Sequence, residues 1–450
     1  MTMDDGMNDL IPFARKALEH YFGYEDFRPG QDQVVNAVLN GRDVMAVMPT
    51  GSGKSICYQL PATRPHTFTL VISPLRALMR DQVQALLKRD IPAALIDSGV
   101  STKDRIKTYM QAGKGELQIL YVAPERLWAG DFLEFIRNTK TDLIAVDEAH
   151  CVLQWGFSFR SSYLRIGEFI ASLPYRPVVA AFTATATPDQ LPEIERNLGL
   201  IQPVRVSTGF DRPNIRFDVV RSTSDMARQR DIAKFVAEHE GSGVVYCTTV
   251  RECEDMAELL GRKGVDAQPF YAALDDDQKA KVQDGFLAGS PMVMCSTTAF
   301  GMGVDKPDIR WVVNDGMCES IESFYQEAGR AGRDGEPARS VMYWTEKDMD
   351  DWYRRIQRDA GSLVHDPEIK AKARLAAFAR LEAMDEYCEG VKDKECLRKR
   401  ILAYFGDEPE WDKCDNCSTC DPKGVPETTR TKRGGKKKKT AKPKSTGPNA

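Results

Sequence analysis

The sequence predicts an α/β protein built as two tandem doubly wound lobes of parallel sheet, followed by a small helical module and a disordered basic tail. Three observations carry that prediction. Short, nearly continuous, β-branched apolar runs alternate with helical patterns, as in sheets covered on both faces. The alternation stops at a turn-rich stretch near Thr208–Asn214 and then restarts. Five cysteines crowd into residues 388–420 near the end of the folded region, three of them at CxxC steps. The chain has 450 residues and is 42% hydrophobic, enough for two or three separate cores.

In the first lobe, residues 1–208, the runs VMAVM (44–48), TLVIS (69–73), LQILYV (117–122), DLIAV (142–146) and VVAAFT (178–183) read as buried strands. Helical stretches such as LRALMRDQVQALLKR (75–89) separate them, which is the βαβ pattern. The turn GFDRPN (209–214) opens the second lobe, residues 209–345. Its strands are GVVYCTT (243–249), PMVMCSTT (291–298), IRWVVN (309–314) and ARSVMYW (338–344), with helices at 252–264 and 277–289. From about Glu346 the strands stop, and residues 346–421 form the helical module. Residues 422–450 are Lys, Thr, Gly, Pro and Ser with almost no apolar side chains, a composition that cannot fund a core.

Formal net charge is −4, which gives no global argument for a polyanionic partner. The distribution says more. Residues 421–450 hold ten Lys or Arg against Asp421 and Glu427, a net +8, which leaves −12 for the rest. The tail reads either as a source of sequence-blind phosphate contacts or as a solvated, solubilising segment. No N-terminal run resembles a signal peptide and no apolar run reaches membrane-spanning length, so a soluble intracellular protein with no membrane partner is expected. Six of the eleven cysteines, Cys57 to Cys318, fall mostly in apolar runs and read as buried thiols.

The chemistry concentrates in three places. In VMAVMPTGSGKSICYQL a Gly-rich turn joins a strand to a helix, so the backbone from Thr50 through Gly51, Ser52 and Gly53 can cradle phosphate. Lys54 would reach the β and γ phosphates of ATP and Ser55 would hold Mg²⁺. Met48 stands where the general phosphate-loop pattern has Gly. In LIAVDEAH a strand ends in an acidic pair: Asp147 would hold Mg²⁺ through water and Glu148 would polarise the attacking water. In QEAGRAGRDG (326–335), Arg330 and Arg333 stand three apart on a short helical segment and share a face. Arginines supplied across a cleft stabilise the transferring phosphoryl group, by about 10³–10⁵ in rate.

The run of motifs MPTGSGKS, SPLRALMRDQ, YVAPERL, DEAHCVLQW, AFTATAT, STTAFGMGVDKPDIRWVV and IESFYQEAGRAGRDG resembles the RecQ-type DNA helicases of superfamily two over roughly residues 10–421. The resemblance implies two RecA-like lobes, ATP- and Mg²⁺-dependent movement 3′ to 5′ on single-stranded DNA, and tailed or forked DNA as substrate in repair and recombination. A DNA-stimulated ATPase that remodels or anneals DNA with little unwinding is the alternative. The stretch FGYEDFRPGQ (22–31) resembles the family's N-terminal motif and implies adenine recognition by Tyr24, Arg28 and Gln31.

After DEAH comes CVLQWGFSFR, in which Trp155, Phe157 and Phe159 alternate and Arg160 closes the run. The resemblance implies an aromatic loop in which Trp155, Phe159 and Arg160 sense DNA and report it to the ATP site. Aromatic faces grip a strand without reading sequence, at about 1–3 kcal/mol per stacked base. The alternative is a strand with one buried aromatic face. The sequence departs from the family pattern here: Phe157, Ser158, Ser161 and Ser162 replace His, Asp, Pro and Glu. It departs again at FYAAL (270–274), YCTTVRE (246–252) and NDGMCES (314–320), positions expected to face DNA.

Cys396, Cys414, Cys417 and Cys420 give C-x17-C-x2-C-x2-C. Four thiolates suit a closed, structural, tetrahedral Zn²⁺ site, with an iron–sulfur cluster or free thiols as the alternatives. The arrangement matches the RecQ zinc-binding module, with Cys388 a spare packed thiol. The basic tail stands where longer members continue into winged-helix and C-terminal helical domains, so the chain reads as a short form. The family reading implies a cytoplasmic, nucleoid-associated protein in a bacterium and a nuclear one in a eukaryote.

Overall fold

The structure is a computed structural model and describes residues 8–97, 99–153, 162–290, 292–300, 306–359 and 367–426. The first lobe is a seven-stranded sheet: β1 Val44–Val47, β2 Thr69–Ile72, β3 Ala93–Ile96, β4 Ile119–Val122, β5 Leu143–Val146, β6 Val178–Thr183 and β7 Val204–Ser207. Its order is β3-β4-β2-β5-β6-β1-β7, and every pair is parallel. The second lobe has six strands: β8 Ile215–Arg221, β9 Ser242–Cys247, β10 Ala267–Phe270, β11 Val293–Ser296, β12 Ile309–Asp315 and β13 Ala338–Trp344. Their order is β10-β11-β9-β12-β13-β8, again all parallel. The strands read from the sequence are all present, and four more complete the sheets.

Helices cover both faces, so β1, β2, β4 and β5 are buried at every position. Burial of these aliphatic side chains stabilises the sheet by about 25 cal/mol per Å² of apolar surface. One buried cluster runs from Met45 and Ile72 through Phe210, Phe217 and Phe324 to Tyr387, Leu397 and Cys417. The two lobes and the cysteine module therefore share a core. No described helix is long and apolar enough to cross a membrane.

The module consists of helices Glu346–Asp359, Pro367–Asp393 and Leu397–Tyr404. It packs on the second-lobe helix Ile321–Ala328, with Phe324 against Tyr387 at 5.5 Å and Tyr404 Oη donating to Glu322 at 2.8 Å. Its cysteine loop also reaches the outer edge of β8: Phe217 and Cys417 form a parallel bridge, and Ser418 N–H donates to Phe217 C=O at 3.0 Å.

Candidate active site between the lobes

The phosphate loop leaves β1 at Met48, whose N–H donates to Thr183 C=O at 2.9 Å on β6. The helix Lys54–Gln59 starts from Gly53, which has φ 82°. A Cβ at Gly53 would sit 2.5 Å from Gln31 Nε2, so the position requires glycine on both backbone and steric grounds. Gln31, almost fully buried, donates its amide to the carbonyls of Ser52 and Gly53 at 3.0 Å each. Arg28 donates to Gly51 C=O at 2.5 Å, and its own N–H is taken by Gln31 Oε1. Arg28 and Gln31 thus brace the loop carbonyls, and Ser52 N–H turns back on Pro49 C=O at 3.2 Å. Tyr24 stands 47% exposed at the mouth of the same cavity.

Asp147 follows β5 and is buried. Burial, and then the neighbouring Glu148 charge, push its carboxyl up to about 7, opposed by Lys54. A buried carboxylate held this way, with the Ser55 hydroxyl lining the same cavity, is an oxygen donor set suited to Mg²⁺. Glu148 takes the left-handed conformation, φ 49°, which turns its side chain away from the strand direction. Its Oε2 lies 3.4 Å from His150 Nδ1. Tyr163, fully buried, donates to Asp147 C=O at 3.0 Å and pins the acidic turn.

The arginines depart from the sequence expectation. The helix ends at Ala328, and Arg330 and Arg333 lie beyond it in successive turns. Gly329 meets Thr50 across the lobe junction, and Gly332 at φ 57° turns the chain so that its N–H reaches Ile309 C=O at 2.9 Å. Both side chains nevertheless face the first lobe. A cavity of about 530 Å³ between the lobes is lined by Lys54, Ser55, Asp147, Glu148, Arg330 and Arg333, together with Tyr24, Arg28 and Gln31. That volume is in the range of small-molecule sites.

Two features escaped the sequence reading. Gln326 and Thr185 join the lobes beside this cavity. Arg212, read only as part of a turn, donates to carbonyls of both the phosphate loop and the arginine turn. Gln326 and Thr185 fall within the motifs QEAGRAGRDG and AFTATAT and Arg212 within GFDRPN, but nothing in those runs names the distant partner. Trp155, Phe157, Phe159 and Arg160 lie outside the described residues. Of the departures at 314–320, Asp315 does not face outward: it is buried and pairs with Arg228 at 2.7 Å.

Cys396, Cys414, Cys417 and Cys420 converge with all their sulfurs within 4.8 Å of one another. A tetrahedral zinc with bonds of about 2.3 Å holds sulfurs roughly 3.8 Å apart, so the donor set fits that ion. Cys396 caps the start of helix Leu397–Tyr404, and the other three sit on the loop that follows it. Cys388 and the six cysteines from Cys57 to Cys318 are buried and form no disulfide.

Residues 28–194 match the DEAD/DEAH box helicase family, 227–335 the helicase conserved C-terminal domain, and 346–421 the RecQ zinc-binding family. The chain is 38% identical over 414 residues to the ATP-dependent DNA helicase RecQ of Pasteurella multocida, covering 91% of this chain and 63% of that protein. It is 39% identical over 425 residues to the RecQ helicase of Bacillus subtilis, covering 94% of this chain and 69% of that protein. The helicase Lhr of Mycobacterium smegmatis, solved with ssDNA and AMP-PNP, superposes with a TM-score of 0.60 over 79% of this chain and 50% of that one. At 20% identity that likeness is one of fold. Two parallel-sheet RecA-like lobes, a four-cysteine module and this level of identity place the chain in the RecQ family of DNA helicases.

Proposed function

We propose that this protein is an ATP-dependent DNA helicase that couples hydrolysis to 3′–5′ movement on single-stranded DNA. Tailed or forked DNA is its substrate, and repair and recombination its setting, in the nucleoid of a bacterium or the nucleus of a eukaryote. The observation that carries this reading is the single cavity in which Lys54, Ser55, Asp147 and Glu148 of one lobe meet Arg330 and Arg333 of the other. In it Lys54 neutralises the β and γ phosphates, Glu148 orients the attacking water, and the two arginines stabilise charge as the phosphoryl group transfers. Ser55 and Asp147 would hold Mg²⁺, which when bound supplies neutralisation of the phosphate charge. Tyr24, with Arg28 and Gln31 behind it, takes the adenine. Closure of two lobes over ATP and opening after hydrolysis turn the chemistry into movement. Trp155, Phe159 and Arg160 report the DNA strand to this site. The lobes divide at the linker after residue 208, and the module spans 346–421.

The second reading is a DNA-stimulated ATPase that remodels or anneals DNA with little unwinding.

The test is strand separation on matched duplexes carrying a 3′ or a 5′ single-stranded tail, with Lys54→Ala as control. Opening of the 3′-tailed duplex alone, lost in Lys54→Ala while DNA binding persists, is the expected result. ATP turnover stimulated by DNA without opening of either duplex would establish the second reading. Normal ATP hydrolysis by Lys54→Ala would refute the phosphate-loop assignment.

A further inference from the structure

The linker Phe210–Asn214 joins the lobes, and it is gripped from two sides. On one side Arg212 makes four hydrogen bonds, all to main-chain carbonyls. Its Nη1 reaches Thr50 C=O of the phosphate loop at 3.5 Å and Gly329 C=O at 3.2 Å. Its Nη2 reaches Ala331 and Gly332 C=O at 3.1 Å each. Guanidinium is a rigid planar fork that ordinarily seeks carboxylate or phosphate. Here it is spent on three carbonyls of the turn that bears Arg330 and Arg333, and on the phosphate loop opposite. Asn214 completes the grip by donating to Gly332 C=O at 2.8 Å and Glu336 C=O at 3.0 Å. The turn has no slack: a Cβ at Gly332 would lie 2.5 Å from Asn214 Nδ2 and 2.8 Å from Glu336 O.

On the other side the cysteine module holds the same linker. Phe210 stacks on Phe405 at 4.3 Å with planes 8° apart, and its N–H donates to Asp407 at 2.6 Å. Arg398, buried, pairs with Asp211 at 2.8 Å. Asn416, between two of the four cysteines, donates to Pro213 C=O at 3.1 Å.

We propose that Arg212 is a positioning residue for ATP hydrolysis: it fixes the turn carrying Arg330 and Arg333 against the phosphate loop, using a linker anchored by the cysteine module. This rests on the ATPase reading above. Arg212 does not touch the reacting phosphate; it acts through the backbone from which both arginines spring. Lysine cannot replace it, because a single ammonium with three donors cannot reach all four carbonyls.

The test compares Arg212→Ala, Arg212→Lys, Arg330→Ala and the double variant Arg212→Ala/Arg330→Ala in the full chain, with zinc content and thermal midpoint as checks on folding. The expected result is a kcat for ATP lowered by on the order of 10- to 100-fold in both Arg212 variants, with KM within about twofold of wild type. Adding Arg212→Ala to Arg330→Ala should change kcat little further, because the two act as one unit. Hydrogen–deuterium exchange over residues 326–336 should rise in Arg212→Ala while the strands stay protected. Asn416→Ala, which leaves the four cysteines in place, should raise the same exchange. Full activity in Arg212→Lys, or a multiplicative loss in the double variant, overturns the proposal. So does unchanged exchange over 326–336, a readout that stands even if the wild-type protein hydrolyses no ATP and the ATPase reading itself fails.

Discussion

Gln326 donates its side-chain amide to the Thr185 hydroxyl at 3.0 Å, across the junction of the two lobes. Thr185 belongs to a polar chain that ends at the acidic pair. Its N–H donates to Thr183 Oγ1 and its carbonyl accepts the Thr183 hydroxyl, each at 3.1 Å. Thr183 Oγ1 is 2.9 Å from His150 Nδ1, which is also 3.4 Å from Glu148. Since the Thr183 proton goes to Thr185, the network puts the His150 proton on Nδ1. Burial lowers the His150 pKa, so the ring is a neutral relay and not a counter-ion. A chain of contacts thus runs from Gln326 of the second lobe to Glu148 of the first.

Thr185→Val keeps the shape of that side chain and deletes the acceptor. DNA-stimulated ATP turnover should fall about tenfold, the equivalent of one hydrogen bond of about 1.4 kcal/mol. Nucleotide affinity should stay the same. Steady-state ATPase assays with and without single-stranded DNA check this; an undiminished stimulated rate would show that the inter-lobe contact carries no coupling.

Glu148→Gln leaves a side chain of equal size that cannot take a proton from water. Hydrolysis should fall by about 10²–10⁴ while nucleotide still binds. Single-turnover kinetics paired with a fluorescent nucleotide titration separate the two. Loss of binding in parallel with rate would reassign Glu148 to the phosphate cradle.

Glu327 gives a pH prediction. Burial, chiefly, pushes its carboxyl up to about 7; Arg330, Asn314 and Cys318 pull the other way, and Glu319 adds to the rise. The folded state therefore binds this proton more tightly than the unfolded chain, whose Glu titrates near 4.3. Stability from this group is complete below about pH 4 and is lost as pH rises through 7, a change on the order of 3–4 kcal/mol. Glu327→Gln should flatten that slope. Urea unfolding of both proteins between about pH 5 and pH 8 measures it; parallel profiles would mean the group is ionised throughout.

Most of the architecture was legible in the sequence, and the strands that were not have one position in common. β3, β7, β8 and β10 are the four outer strands of the two sheets. An outer strand has one flank without a partner, so its sequence need not be uniformly apolar. β8 reads IRFDVVR and β10 carries Pro269, tolerable only where an N–H is not owed to a neighbour. The phosphate loop, the acidic pair and the cysteines were legible because their chemistry is written in contiguous residues. Arg212 and the Gln326–Thr185 pair were not, because their partners lie more than a hundred residues away.

Removing zinc with a strong chelator should unfold the cysteine loop, since metal binding here is folding free energy. Helicity of the module should drop, read by circular dichroism, and return when zinc is restored. Unchanged spectra would mean that packing on the second lobe holds the loop without metal.

The bridge between Phe217 and Cys417 gives that loss a further meaning. β8 is an outer strand whose free side is covered by the cysteine loop, through Phe217 and through Val219 N–H, which donates to Ser418 Oγ at 3.3 Å. Uncovered, Ile215–Arg221 would present a row of unsatisfied main-chain groups, a template for pairing with another chain. The cysteine loop, with the metal its four thiolates would hold, thus guards an outer strand against self-association as well as bracing the fold, and light scattering should rise after chelation as the loop unfolds.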